Sequence, residues 1–412
     1  MRKVVIVGGG AAGLMAACAA AQQGAQVTVF ERRERPARKI LVTGKGRCNV
    51  TNDCDRDTLI AAAAHGGRFL YSAFSAFSAQ DTMAFFEAQG VPLKVERGNR
   101  VFPQSDKAMD IADALVRAAK AAGVKIVTGR VDRLLTDNGA VCGVCTEDGT
   151  TCAAERVILA TGGLSYPATG SSGDGYGLAQ SVGHTLSPQS PSLIPLLSDA
   201  DFCKDLQGLA LRNVAVWVSE TGRKKPIYTD FGELLFTHFG VSGPTVLSAS
   251  AHLNAPERGQ YTLHIDLKPA LDAATLDARI LRDFEKNHTR DLVNALDALL
   301  PRRMIPVILK RAALPFHNKV SQISKAQRAA LLEGIKNFTV PISGTRPIEE
   351  AIITRGGISL KEINPKTMES KLCAGLCFAG EIIDVDAYTG GFNLQIAFST
   401  GHLAGSFAAQ AE

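Results

Sequence analysis

Three glycines and a carboxylate near the N-terminus carry the first chemical signal. Gly8-Gly9-Gly10-Ala11-Ala12-Gly13 is a G-x-G-x-x-G turn, and Glu31 closes the segment that follows it. In such a turn Gly8 permits the tight bend, Gly10 lets the backbone approach a pyrophosphate, and Gly13 lets helix and strand pack closely. Free N–H groups of a helix starting there, those of Ala11 and Ala12 included, point with the positive end of the helix dipole at phosphate. Glu31, at a strand end, accepts the hydroxyls of an adenosine ribose. A second constellation lies near the C-terminus. Gly380-Glu381 is followed by Asp384, Asp386 and Tyr388, and then by Gly390-Gly391-Phe392-Asn393-Leu394, which opens a helix. Glu381 or a neighbouring backbone amide can meet ribityl or phosphate oxygens. The amides of Asn393 and Leu394 set positive potential over Gly391, where the anionic edge of a reduced flavin is stabilised. Cys48, His238 and Tyr388 are the candidate catalytic groups, each able to donate a proton.

The elements that hold these residues follow from pattern. Val4-Val5-Ile6-Val7 reads as a buried parallel strand, Leu14 to Gln23 as an Ala-rich helix stopped by Gly24, and Val27–Phe30 as the next strand. Arg68 to Gln89 carries Phe69, Phe74, Phe77, Phe85 and Phe86 at helical spacing, which predicts core rather than a cofactor box. A helix is expected over 107–122 and a third parallel strand at Lys125–Thr128. Asp137-Asn138-Gly139 and Asp148-Gly149 are hairpin turns, giving a meander of Val131–Thr136, Ala140–Thr146 and Thr151–Val157. Its last strand runs on into Ala160-Thr161-Gly162-Gly163. Cys142 and Cys145 form a C-x-x-C, but on a strand they face opposite ways and make no redox or zinc pair. The fold class is α/β: a Rossmann-like, doubly wound parallel sheet plus a three-stranded meander, with an inserted domain. The expected division is 1–190 with 346–412, and an insertion at 191–345, β-rich to about 275 and helical beyond.

With 412 residues, 46% of them apolar and 21% charged, the chain is long enough for two cores. A net charge of +5 without a basic run argues against a DNA-binding protein. Arg32-Arg33 and Arg223-Lys224-Lys225 read as small surface clusters. Nine cysteines, an odd number, scattered through the chain suit a reducing cytoplasm. Met1 leads at once into a strand, so no signal peptide is expected, and no apolar stretch suits a membrane span. No Cys/His cluster suggests a metal and no Gly-x-Ser-x-Gly a hydrolase.

These motifs, together with Gly44-Lys45-Gly46-Arg47-Cys48-Asn49-Val50-Thr51-Asn52 and Leu235-Phe236-Thr237-His238-Phe239-Gly240-Val241-Ser242-Gly243-Pro244, resemble the BaiN/RdsA-type (YhiN-like) FAD-binding flavoproteins. Lys361 to Ser370 matches the Gram-positive-type branch. Arg355 departs from the pattern, standing where a small residue is expected. The resemblance implies tightly bound, non-covalent FAD and hydride chemistry at flavin N5. It extends the expected cofactor-binding set to Arg32, Lys39, Gly44, Arg47, Cys48, Asn49, Val131, Thr161, Gly162, Gly163, Gly380 and Gly391. It also implies the reaction: reduction of a conjugated C=C in a small molecule of 3-oxo bile-acid type. The alternatives are reduction of a uridine in ribosomal RNA, oxidation of an aminoacetone-type amine, and an FAD-binding protein without turnover. No second G-x-G-x-x-G announces a full NAD(P) domain, so the expectation is that a nicotinamide donor binds transiently at the flavin face or that another reductant serves.

Overall fold

The computed structural model describes residues 1–256 and 258–410. The chain forms two compact units, 1–192 with 347–412, and 193–346.

The first unit begins with β1 (Lys3–Val7), α1 (Ala11–Gln22) and β2 (Gln26–Glu31). Val4, Val5, Ile6 and Val7 are all buried, each side chain contributing about 1.5–3 kcal/mol by leaving water. A short strand β3 (Ala63–His65) follows, then α2 (Ala108–Ala121), β4 (Lys125–Thr128) and β5 (Arg156–Leu159). The unit continues through β6 (Leu186–Ser192), resumes at β7 (Ile353–Ile358), and ends with β8 (Leu376–Phe378), β9 (Asp386–Ala387) and α3 (Phe392–Ala409). The parallel sheet runs β8-β5-β1-β2-β4, with Val5 opposite both Val157 and Thr28. The carboxyl ends of these strands therefore gather the loops at 8–13, 32–39, 160–163 and 379–381 along one edge, where an open α/β sheet binds its ligand.

Helix α1 is buried on almost every side. Gly13 packs against the Gly8 carbonyl, and Gly401 and Gly405 of α3 bring its backbone onto the Ala12 and Ala16 carbonyls. Small residues on both helices permit that approach. The meander is present as Val131–Asp137, Ala140–Thr146 and Thr151–Ala153, and β5 is a separate strand from its last member. Cys142 is exposed and Cys145 buried. The aromatic segment is not one helix: it breaks at Phe77, and Ser78 caps a new helix, Ala79–Ala88, with Asp81 closing the capping box.

The second unit is a seven-stranded sheet, ordered Phe338–Ile342, Tyr261–Asp266, Ala210–Glu220, Tyr228–Thr237, Gly240–Ser242, Leu196–Leu197, Gly344–Thr345. Helices Ala273–Lys286, Met304–Arg311 and Lys325–Lys336 pack with it around Val216, Leu263, Ile280 and Phe338. The expected helical run to 345 is corrected at its end, where Phe338–Ile342 returns to the sheet beside Tyr261–Ile265.

Candidate functional site

A cavity of about 1360 Å³, its open mouth included, follows the carboxyl edge of the parallel sheet. Gly8, Gly10, Ala11 and Ala12 form one part of its wall and Gly380, Glu381, Asn393 and Leu394 another. Both α1 and α3 start here, with N-caps Gly10 and Gly391, and neither has a side-chain cap or an acidic residue in its first turn. Each helix thus leaves free N–H donors directed at the cavity. Nothing lies within 4 Å of the place where a Cβ on Gly10 would stand, so ligand can approach its backbone.

Glu31 is held at the end of β2, where Oε2 accepts the Gly9 N–H at 2.8 Å and Oε1 the Arg33 N–H at 2.9 Å. These bonds aim the carboxylate while leaving lone pairs for hydroxyl donors. Arg32 also lines the cavity, but its guanidinium joins Asp174 at 2.6 Å, as Arg130 does at 3.0 Å. Coulombic attraction to Asp174, then its hydrogen bond, pushes the Arg130 pKa up. Lys39 Nζ lies 2.5 Å from Glu381 Oε2 and 2.6 Å from Ser165 Oγ. Glu381 Oε1 accepts from Ser165 Oγ and the Thr354 N–H, both at 2.8 Å. Oε1 thus takes two donors from the protein and Oε2 one, so Glu381 anchors Lys39 in the cavity wall while Oε2 keeps a lone pair for a further donor. The Asn393 side chain grips the preceding strand, accepting from the Ala387 N–H (2.9 Å) and donating to its carbonyl (2.7 Å), while the residue itself lines the cavity.

Val131, Thr161 and Gly162 line the cavity as expected, whereas seven expected residues do not. Gly13, Gly163 and Gly391 act in packing, the last two against Thr354 and Thr51. Gly44 is exposed. Arg47 is drawn off by Asp106 (2.6 Å) and Glu96, and lies over the Phe102 ring at 4.2 Å. Cys48 is fully buried in a left-handed conformation, and burial pushes its thiol up to about 12. Its role as proton donor is corrected on that ground: it does not reach the cavity. Asn49 is outside the lining too, its buried Oδ1 without a partner. Tyr388 follows β9 and gives its N–H to the Ala62 carbonyl (3.0 Å). His238 is exposed in the turn after Tyr228–Thr237 of the second unit, edge-on to Phe239.

Residues that sequence reasoning missed include Ala160, Arg130, Val385, Ile353 and the loop at 169–172. Only the glycine and serine content of that loop marked it. Among the described residues no group of His, Cys, Asp and Glu is arranged for a metal ion, and no helix is long and apolar enough to cross a membrane.

Two uncapped helix N-termini, an open Gly10 and an oriented Glu31 around one elongated cavity fit a dinucleotide that carries a diphosphate and a redox ring. Residues 2–407 match the HI0933-like protein Rossmann domain family. The chain is 34% identical over 393 residues to the 3-dehydro-bile acid delta(4,6)-reductase of Clostridium scindens, spanning 94% of this chain and 93% of that one. It is 30% identical over 381 residues to the ribosomal RNA dihydrouridine synthase of Escherichia coli, spanning 92% and 91%. The 3-ketosteroid-delta4-(5alpha)-dehydrogenase of Rhodococcus jostii shares its fold, with a TM-score of 0.54 and 17% identity over 100% of this chain and 97% of that one. The chain belongs to the HI0933-like family and is an FAD-dependent oxidoreductase.

Proposed function

We propose that this protein reduces the conjugated C=C of a small 3-oxo substrate of bile-acid type, with a nicotinamide dinucleotide as the source of hydride. The observation that carries the reading is the uncapped N-terminus of α3 at the cavity, pinned through Asn393 to Ala387. FAD, when bound, supplies hydride transfer between donor and acceptor. The first-turn amides of α1 take its diphosphate and Glu31 its adenosine ribose. Amides at the start of α3 offer their positive potential to the ring, which favours the charge that reduction brings. The 34% identity to a named enone reductase over nearly the whole of both chains supports the choice of acceptor.

A second reading is reduction of uridine in ribosomal RNA, favoured by the 30% identity to the Escherichia coli enzyme. The bond reduced there is also a C=C conjugated to a carbonyl, so the cavity serves either reading and the substrate decides. Anaerobic stopped-flow separates them. The holoprotein is bleached with NADH or NADPH, then mixed with a 3-oxo-Δ4 bile acid or with unmodified ribosomal RNA. Flavin colour returning with the bile acid alone supports the first reading, and colour returning with RNA alone replaces it by the second. No bleaching by either nucleotide removes the nicotinamide from the proposal.

A further inference from the structure

Five cations line the cavity, Arg32, Arg35, Arg38, Lys39 and Arg130, and three carboxylates line it with them, Glu31, Asp174 and Glu381. Four of the five cations are held by acids of the protein itself. Arg32 and Arg130 share Asp174, at 2.6 and 3.0 Å, Lys39 lies 2.5 Å from Glu381, and Arg35 lies 2.9 Å from Asp113. The Glu31 oxygens are turned to the Gly9 and Arg33 amides. Among the described residues, Arg38 is the one lining cation with no hydrogen-bond or ion-pair partner.

The backbone fixes where that charge stands. The Ala37 N–H donates to the Gly9 carbonyl at 2.8 Å, and a Cβ on Gly9 would lie 3.3 Å from Pro36 Cβ. Residues 36 and 37 are therefore seated on the glycine turn. Ala37 is buried in a left-handed conformation, and the 3₁₀ segment Arg38–Gly46 starts directly after it. Arg38 itself is exposed and lines the same cavity as Gly8, Gly10, Ala11 and Ala12. An unpaired guanidinium beside uncapped helix amides suits a compact anion with several oxygens. The amides and the dipole of α1 attract its charge, and the planar fork offers parallel N–H donors to two of its oxygens.

We propose that Arg38 is a cofactor-binding residue that pairs with the diphosphate of FAD, adding a charge-assisted contact to the amides at the start of α1. This rests on the assignment of the diphosphate to that helix start and uses nothing of the substrate. The other four cations are already neutralised by the fold and shape the wall, so Arg38 is the side chain that brings net positive charge to the phosphates.

The test reads cofactor binding in full-length holoprotein, with free FAD measured by its fluorescence in the ultrafiltrate as the protein is diluted. Arg38→Ala is expected to raise the dissociation constant about 5- to 50-fold, between the worth of an exposed ion pair and that of a hydrogen bond to a charged group. Arg38→Gln, closer in size, repeats the loss. Arg38→Lys keeps the charge without the fork and falls between those variants and wild type. Arg35→Ala, whose charge Asp113 already holds, is expected to stay within about 2-fold of wild type. Salt at about 0.5 M screens exposed charges and is expected to weaken FAD more in wild type than in Arg38→Ala; a merely structural role leaves the two salt curves parallel. ADP, which carries the diphosphate without the flavin, is then used to displace FAD, and Arg38→Ala is expected to weaken ADP by the same factor as FAD. The proposal is overturned by Arg38→Ala and Arg38→Gln that hold FAD as tightly as wild type, or by weakened FAD beside unchanged ADP. ADP that displaces no FAD from wild type overturns it together with the placing of the diphosphate at α1. Turnover enters none of these measurements, so they stand whether or not the enone-reductase reading does.

Discussion

Gly10 and Gly13 belong to one motif, yet the structure assigns their substitution opposite consequences. Gly10 has φ −83° and ψ −168°, open to any residue, and a Cβ there meets nothing within 4 Å. Alanine at an N-cap is poorer than glycine by about 0.5–1.5 kcal/mol, offset by the about 0.4–1 kcal/mol gained from a stiffer unfolded chain. Gly10→Ala therefore changes the stability of FAD-free protein by no more than about 1 kcal/mol. Its methyl group instead enters the space assigned to the diphosphate, and overpacking of about 1–3 kcal/mol there weakens FAD about 5- to 140-fold. Gly13→Ala drives its Cβ into the Gly8 carbonyl, which is backbone and cannot swing aside. The helix is also held from a second side, because Gly401 and Gly405 bring α3 onto its Ala12 and Ala16 carbonyls. The cost reaches at least about 3 kcal/mol, a large part of the ~5–15 kcal/mol that holds a domain together. Urea unfolding of FAD-free protein and fluorescence titration with FAD measure the two terms separately. The reasoning is refuted by Gly10→Ala binding FAD as tightly as wild type, or by Gly13→Ala unfolding at the wild-type midpoint.

The buried Cys48 thiol, raised to about 12, should resist iodoacetamide at pH 8 in native protein while the exposed Cys142 reacts. Peptide mass spectrometry that finds Cys48 alkylated before unfolding would return it to the list of accessible groups. Lys39→Met leaves Glu381 with its Ser165 and Thr354 donors but no cation. A loss of about 1–3 kcal/mol is expected, and an unmoved urea midpoint sinks the claim that the pair anchors the wall. His184 and His402 are both held below 6.5, chiefly by burial. The unfolded chain takes up those protons first, so their contribution to stability is complete above about pH 6.5 and is lost as pH falls below it. His402→Phe keeps the stack on Phe77 and removes a buried nitrogen without a partner. Its stability should decline less steeply with acid than that of wild type, and parallel curves would count against the assignment.

What the sequence made legible was local, and what it hid was set by partners far along the chain. Strand β1, helix α1 and the uncapped start of α3 are each decided by a few adjacent residues, so pattern alone located them. The crossing of α1 and α3 needs Gly401 and Gly405 opposite Ala12 and Ala16, and α3 reads only as a helix of small residues. Phe338–Ile342 escaped as a strand because Pro341 lies in it, yet proline is tolerated on the outer strand of a sheet, which is where this segment sits. The site shows the same division. Gly8, Gly10 and Glu31 were placed by the motif itself, whereas Arg47 entered with the family resemblance and Glu381 with the second glycine constellation. A charged side chain takes whichever counter-charge the fold brings near: Asp106 and Glu96 for Arg47, Lys39 for Glu381. The His65–Asp386–Ser192 cluster, in which Asp386 meets His65 Nδ1 at 2.5 Å and accepts the Ser192 hydroxyl at 2.6 Å, marks the limit. Its imidazole and carboxylate are separated by 321 positions, and β3 and β9, which bring them together, are too short for periodicity to detect. A motif records where backbone must approach a ligand, because only glycine allows it; a hydrogen-bonded side-chain pair carries no such local mark, and tertiary structure can recruit its members from anywhere.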